Sequence, residues 1–264
     1  MIALPDIVTP ADMGLLGADG RAVLAGVDHP LVTGPVADLA LLPGTIAAAR
    51  AARPDAVLLH RGPLAAGLWR RHPEVRLVVH LSASSDLSAV GARAEALACT
   101  LDEAARLGAD AVSASFSAGS LLNGTRRALA VLDRLARDCA RRRLPLLVVL
   151  NGGTGDPERW RRAAVVARTA ERLGAHAIRI GHPGREDWIA WFLDRCDAPV
   201  LLAVGVSERA AVLELAEMAV TIGAAGVALC LGARGATGAE ALVRAVAAVV
   251  HGDRTGAPAL ARSA

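Results

Sequence analysis

One junction recurs along this chain and limits what it can fold into. Gly108-Ala-Asp-Ala-Val112, Gly174-Ala-His-Ala-Ile178 and Gly223-Ala-Ala-Gly-Val227 each close a helical stretch and open an apolar run, and Arg53-Pro-Asp-Ala-Val57 is a weaker copy. A glycine just past a helix takes the left-handed conformation that ends it, and the short apolar run that follows reads as a buried strand. A helix-to-strand junction repeated in this way describes alternating units, each hiding its apolar face only against its neighbours.

Filling in the units predicts strands over Arg21 to Val27, Ala56 to His60, Arg76 to Leu81, Ala111 to Phe116, Leu144 to Leu150, Ala177 to Ile180, Val200 to Val204 and Gly226 to Cys230. Helical patterns cover Thr45 to Arg53, Leu101 to Leu107, Thr125 to Arg143, Pro157 to Leu173, Glu186 to Cys196, Ser207 to Ile222 and Ala239 to Val250. Eight apolar strands alternating with amphipathic helices predict an α/β fold, a (β/α)8 TIM barrel with its site at the C-terminal strand ends. A doubly wound open sheet is the alternative, but the first strand lacks the GxGxxG turn that would support it. A length of 264 residues with 53% apolar content suits a single domain over 1–264, with an irregular lead-in over 1–20 and a flexible tail over 253–264.

Charge and composition remove several function classes. A net charge of +3 spread along helices, with aromatics at 2%, offers no basic stripe with stacking residues for nucleic acid. No apolar run reaches the roughly 18 residues of a membrane span, and Met1 to Gly20 has no signal-peptide pattern. Cys99, Cys139, Cys196 and Cys230 lie far apart without metal-ligand spacing, which fits buried thiols in a reducing, cytoplasmic setting.

On a barrel, the strand ends gather Asp28, His29, His60, His80, Ser113, Ser115, Asn151, Arg179, His182, Gly205 and Arg234 around one mouth. Arg179 is the anomaly among them, because alternation turns Ala177, Arg179 and Gly181 to the side opposite Ile178 and Ile180, where a parallel strand normally carries aliphatic residues. Asp28 reads either as a loop-capping carboxylate or as an acid/base group held beside a cation. His60, His80 and His182 read either as loop-bonding or as catalytic histidines, while His72 and His251 read as solvated helix-end residues.

Val27-Asp-His-Pro-Leu-Val-Thr-Gly-Pro35, Leu58-Leu-His-Arg-Gly62, Val79-His-Leu-Ser-Ala-Ser84 and the stretch Gly174 to Gly184 resemble successive strand ends of the archaeal-type class I fructose-bisphosphate aldolases and the related aminodideoxyheptulosonate synthases. That resemblance runs from about Gly20 to Gly252 and implies an aldolase-type barrel, a phosphorylated small-molecule carbonyl substrate, no cofactor or metal, and a homo-oligomer. It also implies that Asp28 takes part in proton transfer. Arg179 then falls where the family has its imine lysine, Asn151 where it has a catalytic tyrosine, Val204-Gly205 where it has a phosphate-binding glycine pair, and Cys230-Leu231 where it has Gly-Arg, with Arg234 a few residues on.

The chain contains no lysine and no tyrosine. Arginine stays protonated and cannot form an imine, so ordinary class I chemistry is excluded by composition. The expectation is therefore an aldolase-like enzyme, a lyase, condensing enzyme, isomerase or cyclase of biosynthesis. In it Asp28, Arg179, His29, His182 and Asn151 do the chemistry, and His60, His80, Ser113, Ser115, Gly205 and Arg234 bind substrate. Two alternatives are a non-catalytic or ligand-sensing relative whose Arg179 and Asp28 plug the old site, and a metal-assisted lyase using His60, His80, His182 and Asp28.

Overall fold

A computed structural model of the chain describes residues 15–27, 40–83, 96–117, 126–151, 156–205, 208–231 and 238–252. The strands are β1 (Ala22–Gly26), β2 (Ala56–His60), β3 (Arg76–His80), β4 (Ser82–Ala83), β5 (Ala96–Leu97), β6 (Ala111–Ser117), β7 (Leu146–Asn151), β8 (Ala177–Gly181), β9 (Val200–Val204) and β10 (Gly226–Cys230). The helices are α1 (Leu42–Ala51), α2 (Arg61–Ala65), α3 (Leu101–Arg106), α4 (Arg126–Arg142), α5 (Pro157–Leu173), α6 (Glu186–Leu193), α7 (Arg209–Thr221) and α8 (Ala239–His251). Eight strands close into a barrel in the order β1-β10-β9-β8-β7-β6-β3-β2, and β4 with β5 forms a separate two-stranded ladder. Every barrel pair is parallel, so the fold is a (β/α)8 barrel and the open-sheet alternative falls.

Alternation sorts the strand residues into two cores. Ala22, Leu24, Ala56, Leu58, Val78, Ala111, Leu147, Ala177, Leu201 and Ala228 fill the barrel interior, with Leu15 and Leu16 of the lead-in packed against them. The opposite set, including Val23, Val57, Val79, Val112, Val148, Ile178, Leu202 and Val227, packs under the helices. Strands covered on both sides need apolar residues at nearly every position, so a polar side chain inside the barrel stands out.

The recurrent junction works as a left-handed stop. Arg53, Gly108, Arg143, Gly174 and Gly223 take φ of 54°, 83°, 53°, 106° and 95°, so in the weaker copy an arginine accepts the conformation that glycine reaches without strain. The variable position of the repeat straps the barrel floor. Asp55 Oδ2 accepts from Val23 N at 2.6 Å, Asp110 Oδ2 from Leu77 N at 2.9 Å, and His176 Nδ1 from Leu146 N at 3.1 Å. Each side chain satisfies a backbone donor at the first or second residue of a barrel strand. His176 is thus a strand cap, and burial holds its imidazole below the usual histidine range.

Local differences from the sequence reading have physical causes. Helix α1 starts at Leu42, not Thr45, because Pro43 sits at its first turn, where a missing N–H costs nothing. Arg61-Gly62-Pro63 begins the short helix α2, with Pro63 in its first turn. Strand β7 starts at Leu146, past Leu144 and Pro145, and α6 stops at Leu193, short of Cys196. His72 lies in a turn, its Nδ1 accepting from Glu74 N at 3.1 Å, and His251 is ion-paired instead of solvated. The tail expected over 253–264 lies outside the described residues. No helix among the described residues is long and apolar enough to cross a membrane.

Candidate active site at the barrel mouth

The inward positions at the C-terminal strand ends change from apolar to polar. His60 ends β2, His80 ends β3, Ser113 and Ser115 belong to β6, Arg179 to β8, and Cys230 ends β10. All but Ser115 are buried: His60 is 6% exposed, His80 7%, Ser113 0%, Arg179 6% and Cys230 7%. The site therefore sits on rigid strands, where one residue of register decides whether a side chain meets the mouth or the helices.

On the β2–β6 side the polar groups order one another. His80 Nδ1 lies 2.7 Å from Ser113 Oγ, and His80 Nε2 lies 3.3 Å from Ser115 Oγ. The His60 ring meets the His80 ring edge-on, with centroids 5.0 Å apart and planes at 78°. Ser82 Oγ accepts from Ser115 N at 3.0 Å, so the little β4–β5 ladder braces β6. Both nitrogens of His80 are engaged, and Ser113, fully enclosed, fixes the ring while Ser115 lies on its other side.

Across the barrel, Arg179 Nη2 donates to Cys230 Sγ at 3.1 Å. Cys230 is in register with Gly26 of β1, and Asp28 follows two residues later in the sequence. Asp28, His29 and Arg234 lie outside the described residues, as does the side chain of Asn151, whose backbone ends β7.

His182 follows β8, and its Nδ1 accepts from Gly184 N at 3.0 Å. Burial holds this imidazole low, against a smaller opposing pull from the Glu186 charge. Gly205 is exposed at the end of β9, with open space where a Cβ would stand. Val204 packs under the helices, turned away from the mouth. Glu208 stands at the N-cap position of α7 without a side-chain cap hydrogen bond, an acidic residue where an anion would otherwise meet the positive end of the helix dipole. Among the described residues no group of three or more His, Cys, Asp or Glu is arranged to hold a metal ion.

Sequence reasoning overlooked Cys230. The signal was present: Cys230 shares the parity of Gly226 and Ala228, so alternation turns it inward as it does Arg179. Ser82 was also missed, because a two-residue ladder leaves no periodicity to read.

Comparison with known proteins agrees with this architecture. The DeoC/LacD family aldolase pattern matches residues 22–233. A 2-amino-4,5-dihydroxy-6-oxo-7-(phosphonooxy)heptanoate synthase of Streptomyces griseus is 30% identical over 220 residues, covering 79% of this chain and 77% of its own length. A 2-amino-3,7-dideoxy-D-threo-hept-6-ulosonate synthase of Halobacterium salinarum is 27% identical over 264 residues, covering 98% of each. An archaeal fructose-1,6-bisphosphate aldolase, solved with its catalytic lysine covalently bound to the carbinolamine intermediate, shares the fold with a TM-score of 0.75 at 24% identity, over 90% of this chain and 96% of its own. The matched span takes in all eight barrel strands and every candidate site residue except Arg234, and the chain belongs to the DeoC/LacD family of aldolases.

Proposed function

We propose that the protein is an aldolase-type enzyme that acts on a small carbonyl compound through an enolate without a lysine imine. Asp28 moves the proton and Arg179 stabilises the developing oxyanion. The observation that carries this reading is the buried Arg179 guanidinium inside the barrel at the β8 end, in a chain with no lysine. A fixed cation in a water-poor mouth holds negative charge on oxygen far better than water does, with no reorganisation during the reaction. The His60–His80–Ser113–Ser115 group adds oriented polar atoms for a substrate's hydroxyls.

A phosphorylated substrate is in keeping with the names of the Streptomyces and archaeal relatives, with Gly205 and Arg234 as its anion contacts. Cytoplasmic location, homo-oligomeric assembly and a place in specialised biosynthesis belong to the same reading.

The test follows enolate formation directly. Dihydroxyacetone phosphate and a panel of small ketones and aldehydes, incubated with the protein in deuterated buffer, are followed by NMR for exchange at the carbon beside the carbonyl. Exchange with at least one compound, lost in Arg179→Ala, is the expected result. Exchange with none, or exchange undiminished in Arg179→Ala, would overturn the reading.

A further inference from the structure

Arg179 and Cys230, which by resemblance fall where the aldolases have lysine and glycine, meet in space with Nη2 3.1 Å from Sγ. A substitution that merely disabled the site would leave the glycine alone. Here a thiol stands where it reaches the new guanidinium, and both are enclosed. A guanidinium donating to sulfur favours thiolate over thiol, against the desolvation that burial imposes on the charged form.

We propose that Cys230 is a proton-transfer group of this site, held as a thiolate by Arg179 and cycling through the thiol during the reaction. The proposal rests on the enolate reading above. Making or breaking a carbon–carbon bond through an enolate moves two protons, one on oxygen and one on carbon. In the cleavage direction, Asp28 takes the hydroxyl proton and the carbon–carbon pair flows into the enolate whose oxygen Arg179 holds. The proton that Asp28 has taken passes through solvent to the Cys230 thiolate, and the thiol so formed gives it to the enolate carbon, which returns both groups to their resting forms. In the bond-forming direction the thiolate takes that proton back and the S–H bond re-forms.

The surroundings of Cys230 single it out among the four thiols. Its neighbouring strands face the mouth with Gly26 on β1 and Ala203 on β9, neither of them ionisable. Arg179 comes from β8, His60 and His80 stand on β2 and β3, and Asp28 and His29 follow β1 in the sequence. The other cysteines lie outside the barrel interior. Burial pushes Cys99 up to about 11 and Cys139 up to about 12. Cys196 is raised too, first by burial and then by the Glu171 carboxylate that its thiol meets at 2.7 Å.

The experiment titrates the ultraviolet absorbance of thiolate in the whole protein against Cys230→Ser, which needs no substrate and no solvent access. The expected difference is one thiol ionising below the free-cysteine value of about 8.5, while Arg179→Gln lowers the thiolate fraction at neutral pH about tenfold or more. Carbon-proton exchange into dihydroxyacetone phosphate, or whichever carbonyl compound the wild type exchanges, is then compared with Cys230→Ser, in which it should be lost. A Cys230 that ionises at or above the free value, or undiminished exchange in Cys230→Ser, overturns this inference and leaves the enolate reading standing. Absence of exchange in the wild type overturns both.

Discussion

His251 Nε2 lies 3.0 Å from Asp55 Oδ2, and this pair ties the end of the last helix to the start of the second strand. The same carboxylate oxygen accepts from Val23 N, and His251 Nδ1 lies 2.7 Å from Asp19 Oδ2 in the lead-in. One imidazole thus closes the barrel floor between the two ends of the chain. Burial alone would lower its pKa, but the hydrogen bonds and charges of Asp19 and Asp55 outweigh burial and raise it. A raised histidine contributes stability that is fully present below the unfolded value of about 6.5 and is lost as pH rises through the folded value. Asp19 behaves in the opposite sense: burial raises it, the His251 contact outweighs this and lowers it, so its share is lost as pH falls through its depressed value. His251→Gln should therefore lower the melting temperature by a few degrees at mildly acidic pH, about 1 kcal/mol for a partly exposed charged pair. The gap should narrow in alkaline buffer. A constant gap across the range would show that only packing is lost.

Gly226 makes the closing seam possible. Its φ is 141°, and a Cβ built there would overlap the carbonyl of Ala22 on β1, the strand with which β10 pairs along its whole length. Gly226→Ala should cost on the order of 3 kcal/mol through backbone strain and overpacking, read as a lower midpoint in denaturant. Gly223→Ala, with φ of 95° but open space for a Cβ, should cost only about 1 kcal/mol. Equal effects would mean that conformation, not close approach, sets the need for glycine at 226.

What could be read in advance depended on how local the cause was. The alternation over Ala177 to Gly181 put Arg179 inside the barrel because a strand covered on both faces makes one charge conspicuous. Helix stops at Gly108, Gly174 and Gly223 were legible because left-handed geometry is written in a single residue. Contacts across the barrel were not legible. The Arg179–Cys230 contact spans 51 residues and the His251–Asp19 contact 232, and neither follows from spacing, since both depend on strand stagger and side-chain reach. His251 read as solvated for that reason, and Cys230 was grouped with three thiols that lie outside the barrel interior.

A third prediction concerns the imine. Borohydride added with dihydroxyacetone phosphate or fructose bisphosphate should leave no adduct inside the barrel, because the chain has no lysine and an arginine is not a neutral amine under these conditions. Any reduced adduct should map to the N-terminal amine by mass spectrometry. A barrel peptide carrying the mass shift would contradict both the absence of imine chemistry and the role assigned to Arg179.

The last prediction separates a working site from a plugged one. The proposed function sets Arg179 and Asp28 to work together on one enolate. If the two serve an enolate, Arg179→Ala and Asp28→Asn should each abolish turnover of the carbonyl substrate. Arg179→Lys should not restore it, because an ammonium lacks the planar fork that holds oxygen and sulfur together. Stability gives an independent reading, since Arg179 is 6% exposed. Removing one partner of a buried pair that serves only each other strands a charge, at a cost on the order of 3–5 kcal/mol, whereas water in an open mouth solvates the survivor. The functional reading expects single mutants that lose activity with modest loss of stability, and near-additive effects in the double mutant. Large destabilisation by each single change, recovered in the double mutant with ligand binding unaltered, would identify the pair as a plug and the protein as a non-catalytic member of its family.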